Sequence, residues 1–144
     1  GDNKKSNKYA ENIIKNFRRI GPQAKFYGFK DNDFVQEQMK NAAIIVIPSL
    51  WEEPFGLVAA EAMGNGIAII ASRSGGIPEI VQENGILIDN INHKKLEEAL
   101  KEILINDEKR IFYQKTSWNN FKLSSQSSSR KLDKFRLMLS KKYF

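Results

Sequence analysis

Two carboxylates, Glu53 and Glu61, stand with seven residues between them, and Phe55-Gly56-Leu57 lies inside that interval. A carboxylate accepts hydrogen bonds from ligand hydroxyls. Gly56-Leu57-Val58-Ala59-Ala60 reads as a helix start, and the first amides of a helix have no internal partner and carry the positive end of its dipole. Such amides hold a phosphate group without any side chain. Glu61 comes four residues after Leu57, on the same helix face one turn down. Glu53 precedes the helix, in a loop. The two acids are therefore placed to grip opposite ends of one ligand that carries hydroxyls at both ends and a phosphate between. Their spacing alone is more often that of two solvated acids flanking a surface helix. The surrounding elements decide between the two.

The aliphatic run 44–47 reads as a strand buried on both faces, the pattern of a parallel sheet covered by helices. Pro48 cannot donate to a ladder and ends it. The acid-bearing loop thus falls at the carboxyl edge of the sheet, where open α/β folds place ligands. The helix runs from Gly56 through about Met63, where Gly64-Asn65-Gly66 supplies a stop. Upstream, 5–19 reads as a helix with Tyr9, Ile13, Ile14 and Phe17 on one face, broken by Gly21-Pro22. A short strand is expected at 24–28, then a helix from Asp31-Asn32-Asp33 to about Asn41. Downstream come a strand at 68–71, a tight loop at Ser74-Gly75-Gly76, and a short helix with Pro78 in its first turn ending near Val81. A strand at 86–88 follows the turn Glu83-Asn84-Gly85. Asn92 caps a helix over 93–105, a further helix covers 107 to about 119, Ser124 to Ser129 is a break, and a last helix spans about 129–140. Strands alternating with helices give the α/β class: a Rossmann-like parallel sheet with helices on both faces, in one domain over 1–144 that closes with helices over about 107–141.

Several chemistries are excluded. The chain has no cysteine and one histidine, His93 at a helix start, so thiol nucleophiles, histidine triads and zinc sites fall. Neither G-x-G-x-x-G nor a P-loop is present. Asp31-Asn32-Asp33 has the D-x-D spacing of metal–diphosphate sites and opens like a calcium loop, but Phe34, Val35 and Gln36 supply no further ligand or glycine. An aspartate at a helix start is expected as its cap. No apolar run is long enough to span a bilayer and no signal-peptide pattern opens the chain, so a cytoplasmic setting is expected. The net charge of +6 is uneven: residues 1–106 hold 13 basic and 14 acidic side chains, residues 107–144 hold 10 and 3. That basic C-terminal third reads first as a solvated helical face and second as a surface for peripheral contact with an anionic membrane. No nucleic-acid motif accompanies it.

The segment Pro48-Ser49, Glu53-Pro54-Phe55-Gly56-Leu57, Glu61-Ala62-Met63, Gly66, Gly75-Gly76-Ile77-Pro78-Glu79-Ile80-Val81 and Gly85-Ile86-Leu87-Ile88 resembles the donor-binding half of family-4 retaining glycosyltransferases. These have the GT-B fold, two Rossmann-like domains facing a cleft. The resemblance runs from about Ala24 to Leu104 and is densest over 42–88; the region from Trp118 to Phe135 is more loosely similar to the family's closing helices.

The resemblance implies transfer of a hexose from a UDP- or GDP-sugar to a glycan or lipid-linked acceptor, with retained configuration and no metal or other cofactor. Glu53 is the implied catalytic residue, contacting the transferred sugar and stabilising positive charge that develops on its ring. Glu61 would bind the ribose hydroxyls, and the amides of Phe55, Gly56 and Leu57 the diphosphate. The resemblance favours Gly75 and Gly76 approaching the sugar over the simple turn that the pair could also be. Backbone at Phe29 would meet the base, with core packing the equal alternative; Trp51 either borders the cleft or covers the sheet edge. The chain reads as beginning inside the family's domain, without its two central strands, its diphosphate-clamping basic pair or its acceptor domain. On that reading the strands at 24–28 and 44–47 are not neighbours. The isolated chain would be inactive, with its sheet rearranged or completed by a partner such as a second copy. The alternative function is a non-catalytic nucleotide-binding or interaction module that kept the fold.

Overall fold

The computed structural model describes residues 2–121, with side chains from Glu11 onward. The chain divides into two units, Gly1–Gln36 and Glu37–Phe144. The serine-rich break and the helix expected at about 129–140 lie outside the described residues.

In the first unit, α1 spans Asp2–Ile20 and ends on Arg18 and Arg19, cations suited to the negative end of the helix dipole. The strand expected at 24–28 does not form. A strand exists only through its ladder, and Ala24 instead donates its amide back to Gly21 at 3.1 Å in a turn. The aromatic residues that suggested a strand pack as rings within the unit: Phe26 lies 5.7 Å from Phe17, and Tyr27 meets Phe34 edge-on at 5.1 Å. Next, α2 covers Asn32–Lys40, and its last four residues belong to the second unit. Asp31 Oδ1 accepts the Phe34 amide at 2.9 Å, so this acid is the cap of α2, which accounts for its place in the D-x-D spacing.

The second unit holds a three-stranded parallel sheet in the order β1-β2-β3, with β1 at Ile44–Ile47, β2 at Ala68–Ser72 and β3 at Gly85–Ile88. Ile44 pairs with Ala68, and Ile69 with Gly85. Its further helices among the described residues are α3 (Leu57–Gly64), α4 (Ile77–Val81), α5 (His93–Ile105) and α6 (Asp107–Asn120). All of β2 is buried, and its side chains alternate between two cores. Ile69 and Ala71 pack with Ala59, Ala62 and Met63 of α3 and with Ile77 and Val81 of α4. Ala68 and Ile70 pack with Ala99 and Ile103 of α5. Each fully buried isoleucine contributes roughly 1.5–3 kcal/mol relative to an exposed one.

The expectation of double-faced burial is too strong for β1. Only Ile47 is buried there, while Ile44, Ile45 and Val46 are partly covered, because β1 is an edge of the described sheet. Asn92 caps α5 as expected, its Oδ1 accepting the amides of Lys94 at 3.0 Å and Lys95 at 3.1 Å. Helix α6 is locked to the turn before β3: buried Ser117 donates its hydroxyl to the Asn84 carbonyl at 3.1 Å, and Asn120 Nδ2 donates to Asn84 Oδ1 at 2.7 Å. Among the described residues no helix is long and apolar enough to cross a membrane.

Candidate functional site

The site grows from the end of β1. Ile47 is buried and Pro48 stops the ladder, so the chain turns out of the sheet at Ser49. Ser49 is itself buried, and its hydroxyl donates to Glu53 Oε1 at 3.0 Å. Glu53 is half-buried. The loop leaving β2 closes onto this acid loop. Ser74 Oγ donates to the Trp51 carbonyl at 2.5 Å, and the Gly76 amide donates to the Glu53 carbonyl at 2.7 Å. Contact is close enough to demand glycine. At Gly75 the backbone has φ +51°, and a Cβ would lie 2.1 Å from the Glu53 carbonyl oxygen.

Beside this junction opens a cleft of about 370 Å³, lined by Ile47, the run from Glu53 to Ala59, and Ile77. Its walls are largely apolar, and Glu53 is the one acid or base among its lining residues. Gly56, at φ +79°, turns the chain into α3 as its N-cap and supplies no side-chain cap. The first turn of α3 contains no acidic residue. Its leading amides are therefore neither capped nor neutralised by their own helix, and Phe55 and Leu57 stand exposed at the same end. A fixed carboxylate can accept from hydroxyls while the amides of the uncapped helix start beside it donate to an anion, within one cleft.

Of the expected site residues, Glu53, Phe55, Gly56 and Leu57 come together along this cleft. Glu61 lies one turn further along α3, half-buried, outside the cleft lining; its carbonyl accepts from the Asn65 amide at 3.1 Å and from Asn65 Nδ2 at 2.9 Å. Gly75 and Gly76 sit beneath the acid loop, with the Gly76 amide engaged by Glu53 itself. Phe29, in the first unit, is fully exposed, which removes core packing as its explanation. Trp51 is 66% exposed and joins the junction through its carbonyl. Sequence reasoning assigned no role to Ser49 or Ser74. The signal for Ser49 was a hydroxyl directly after a strand-ending proline, four residues before an acid. A second depression of about 250 Å³ lies at the ends of β2 and β3, where Arg73 Nε pairs with Asp89 at 3.0 Å.

A parallel sheet with helices on both faces, carrying a loop acid and a helix start at its carboxyl edge, is the architecture of GT-B glycosyltransferase domains. Residues 1–117 match the profile of the glycosyl transferases group 1, and the chain belongs to that family. It is similar to an uncharacterized glycosyltransferase of Methanocaldococcus jannaschii, 35% identical over 66% of this chain and 27% of the relative. It is also similar to the lipopolysaccharide 1,2-N-acetylglucosaminetransferase of Salmonella typhimurium, 27% identical over 78% of this chain and 32% of the relative. The chain thus spans about a quarter to a third of the length of these relatives. Among solved structures, HepE of Anabaena in complex with UDP and glucose shares the fold, with TM-score 0.76 and 21% identity over 93% of this chain and 37% of that one. The C-terminal domain of a glycosyl transferase group 1 family protein of Francisella tularensis superimposes with TM-score 0.67 and 25% identity, over 78% of this chain and 60% of that one.

Proposed function

We propose that this chain is the donor-binding half of a family-4 retaining glycosyltransferase that moves a hexose from a UDP- or GDP-sugar to a glycan or lipid-linked acceptor. The bond from the sugar to the diphosphate breaks, and an acceptor oxygen takes its place on the same face of the ring. Glu53 contacts the transferred sugar and stabilises the positive charge developing there. The amides of Phe55, Gly56 and Leu57 receive the departing diphosphate, a preorganised electrostatic contribution that requires no metal. Glu61 binds the ribose from its place one turn along α3, and Gly75 and Gly76 hold the sugar end of the site. The reaction runs on the cytoplasmic side, with the basic C-terminal third near a membrane-borne acceptor.

The observation that carries this reading is Glu53 lining the cleft at the uncapped start of α3. The names of relatives agree with it: HepE was solved with UDP-glucose, and the Salmonella relative is a lipopolysaccharide sugar transferase. The test is Glu53→Gln in the natural full-length protein, assayed with UDP- and GDP-hexoses. Turnover should fall far more than nucleoside diphosphate affinity, because the charge acts mainly in the transition state. The product anomer, read by NMR, should match the donor's. An inverted product would reject retention. A wild-type protein that binds nucleoside diphosphate but transfers nothing would favour the non-catalytic module.

A further inference from the structure

We infer that Ser49 is a positioning residue for Glu53: its hydroxyl holds one carboxylate oxygen and leaves the second for the ligand in the cleft. This rests on the reading of Glu53 given above. An ionised carboxylate only accepts, so the serine hydroxyl is the donor in the 3.0 Å bond to Oε1. Ser49 is 9% exposed and stands two residues after the buried end of β1, behind the stiff Pro48, so the hydroxyl is presented from the rim of the sheet. The backbone of the acid loop is held separately, by Gly76 to the Glu53 carbonyl and by Ser74 to the Trp51 carbonyl. Those two bonds fix where the loop lies. The Ser49 bond fixes where its side chain points.

This division of labour separates positioning from scaffolding. A glutamate side chain has three rotatable bonds, and a displacement of about 1 Å in a reacting group costs on the order of 100-fold in rate. Removing the hydroxyl should release the carboxylate while the loop, its junction with the glycine pair and the start of α3 stay in place. Turnover should suffer and nucleoside diphosphate binding should not. If Ser49 merely satisfied a buried corner of the fold, stability would change and the two kinetic quantities would move together.

The experiment uses the natural full-length protein with a panel of UDP- and GDP-linked hexoses, reading release of nucleoside diphosphate with water as acceptor. Ser49→Ala should lower kcat about 10- to 100-fold, the range for a lost hydrogen bond to a charged group. UDP or GDP affinity by calorimetry should be unchanged. Ser49→Thr keeps the hydroxyl and should restore most of the rate. Ser49→Ala combined with Glu53→Gln should be no slower than Glu53→Gln alone. Full activity in Ser49→Ala beside an impaired Glu53→Gln overturns this inference and leaves the role of Glu53 standing. Parallel losses of turnover and nucleotide affinity in Ser49→Ala, or no rescue by threonine in a variant of wild-type thermal stability, also overturn it. An undiminished Glu53→Gln, or a wild type inert toward the whole panel, rejects the underlying reading and this inference with it.

Discussion

The backbone amide of Gly76 donates to the backbone carbonyl of Glu53 at 2.7 Å, joining the loop after β2 to the loop after β1. Through this bond the glycine pair acts on the acid loop directly, whatever it also does for a ligand. Two loops far apart in sequence thereby form one platform at the carboxyl edge of the sheet.

Gly75→Ala should damage that platform. Its φ of +51° is unfavourable for alanine, and the new Cβ would sit 2.1 Å from the Glu53 carbonyl oxygen. The backbone strain alone costs roughly 1–3 kcal/mol, and relieving the overlap must displace the acid loop. A lower urea midpoint together with lost turnover in the full-length protein is expected. An unchanged midpoint would show that the junction tolerates a side chain.

Glu61→Ala should weaken nucleoside diphosphate binding if this acid holds the ribose. Loss of a charged hydrogen-bond partner costs about 1.5–3 kcal/mol, or about 10- to 100-fold in affinity. The bonds that Asn65 makes to Glu61 use its backbone carbonyl, which alanine keeps, and alanine is a strong helix former, so the fold should be unaffected. Calorimetry with UDP and GDP decides the point, and equal affinities in variant and wild type would remove Glu61 from the site.

Ser117→Val should destabilise the second unit without touching the cleft. Ser117 is fully buried, and its hydroxyl is the donor to the Asn84 carbonyl. Valine leaves that carbonyl unpaired, at a cost of about 1–3 kcal/mol, and its extra methyl overpacks a fully buried site, which adds to the loss. Denaturant unfolding should register the loss while nucleotide affinity holds. A neutral result would mean that water replaces the hydroxyl.

The sequence was most readable where a residue acts on its immediate neighbours. Pro48 ends β1, and Asn92 starts α5 by capping two amides within its first turn, so the bounds 44–47 and 93–105 matched the structure. The strand expected at 24–28 failed because β structure depends on a partner that local pattern cannot supply. The same limit hid the platform. Glycine at 75 and 76 signals close backbone approach, but not that the approaching group is the Glu53 carbonyl rather than a ligand. The Ser49–Glu53 bond was within reach of sequence reasoning, being local, yet serine after proline reads equally as an ordinary turn residue.

Lys109 offers a test by pH. Its hydrogen bond to Glu102 is the main cause that raises its pKa above the usual 10.5, with a smaller opposing effect from desolvation. A raised folded value means that the stabilisation is complete below the unfolded pKa and disappears as pH rises through the folded one. Both side chains are substantially exposed, so the pair is worth under about 1 kcal/mol and should weaken in salt. Lys109→Met should lower the denaturant midpoint slightly at neutral pH, with the gap closing at alkaline pH beyond 10.5. A gap that persists there would assign the effect to packing on Tyr113, whose ring lies 5.8 Å from the ammonium.

The order β1-β2-β3 also bears on how the molecule comes to be. Among the described residues each strand pairs with the next along the chain, so none of these pairings waits for a more distant segment to arrive. Closing the crossover between successive strands still loses less chain entropy than pairing with a more distant segment would, because the closure cost grows with loop length. The Glu53 loop and the Ser74–Gly76 loop flank the same β1–α3–β2 crossover, so registering β2 on β1 brings the two together in one event. Pulse-labelled hydrogen exchange should accordingly show the Gly76 amide gaining protection with β2 and ahead of α6. Protection arriving only with α6 would mean that the platform is assembled last, by the closing helices, and not by the crossover that carries it.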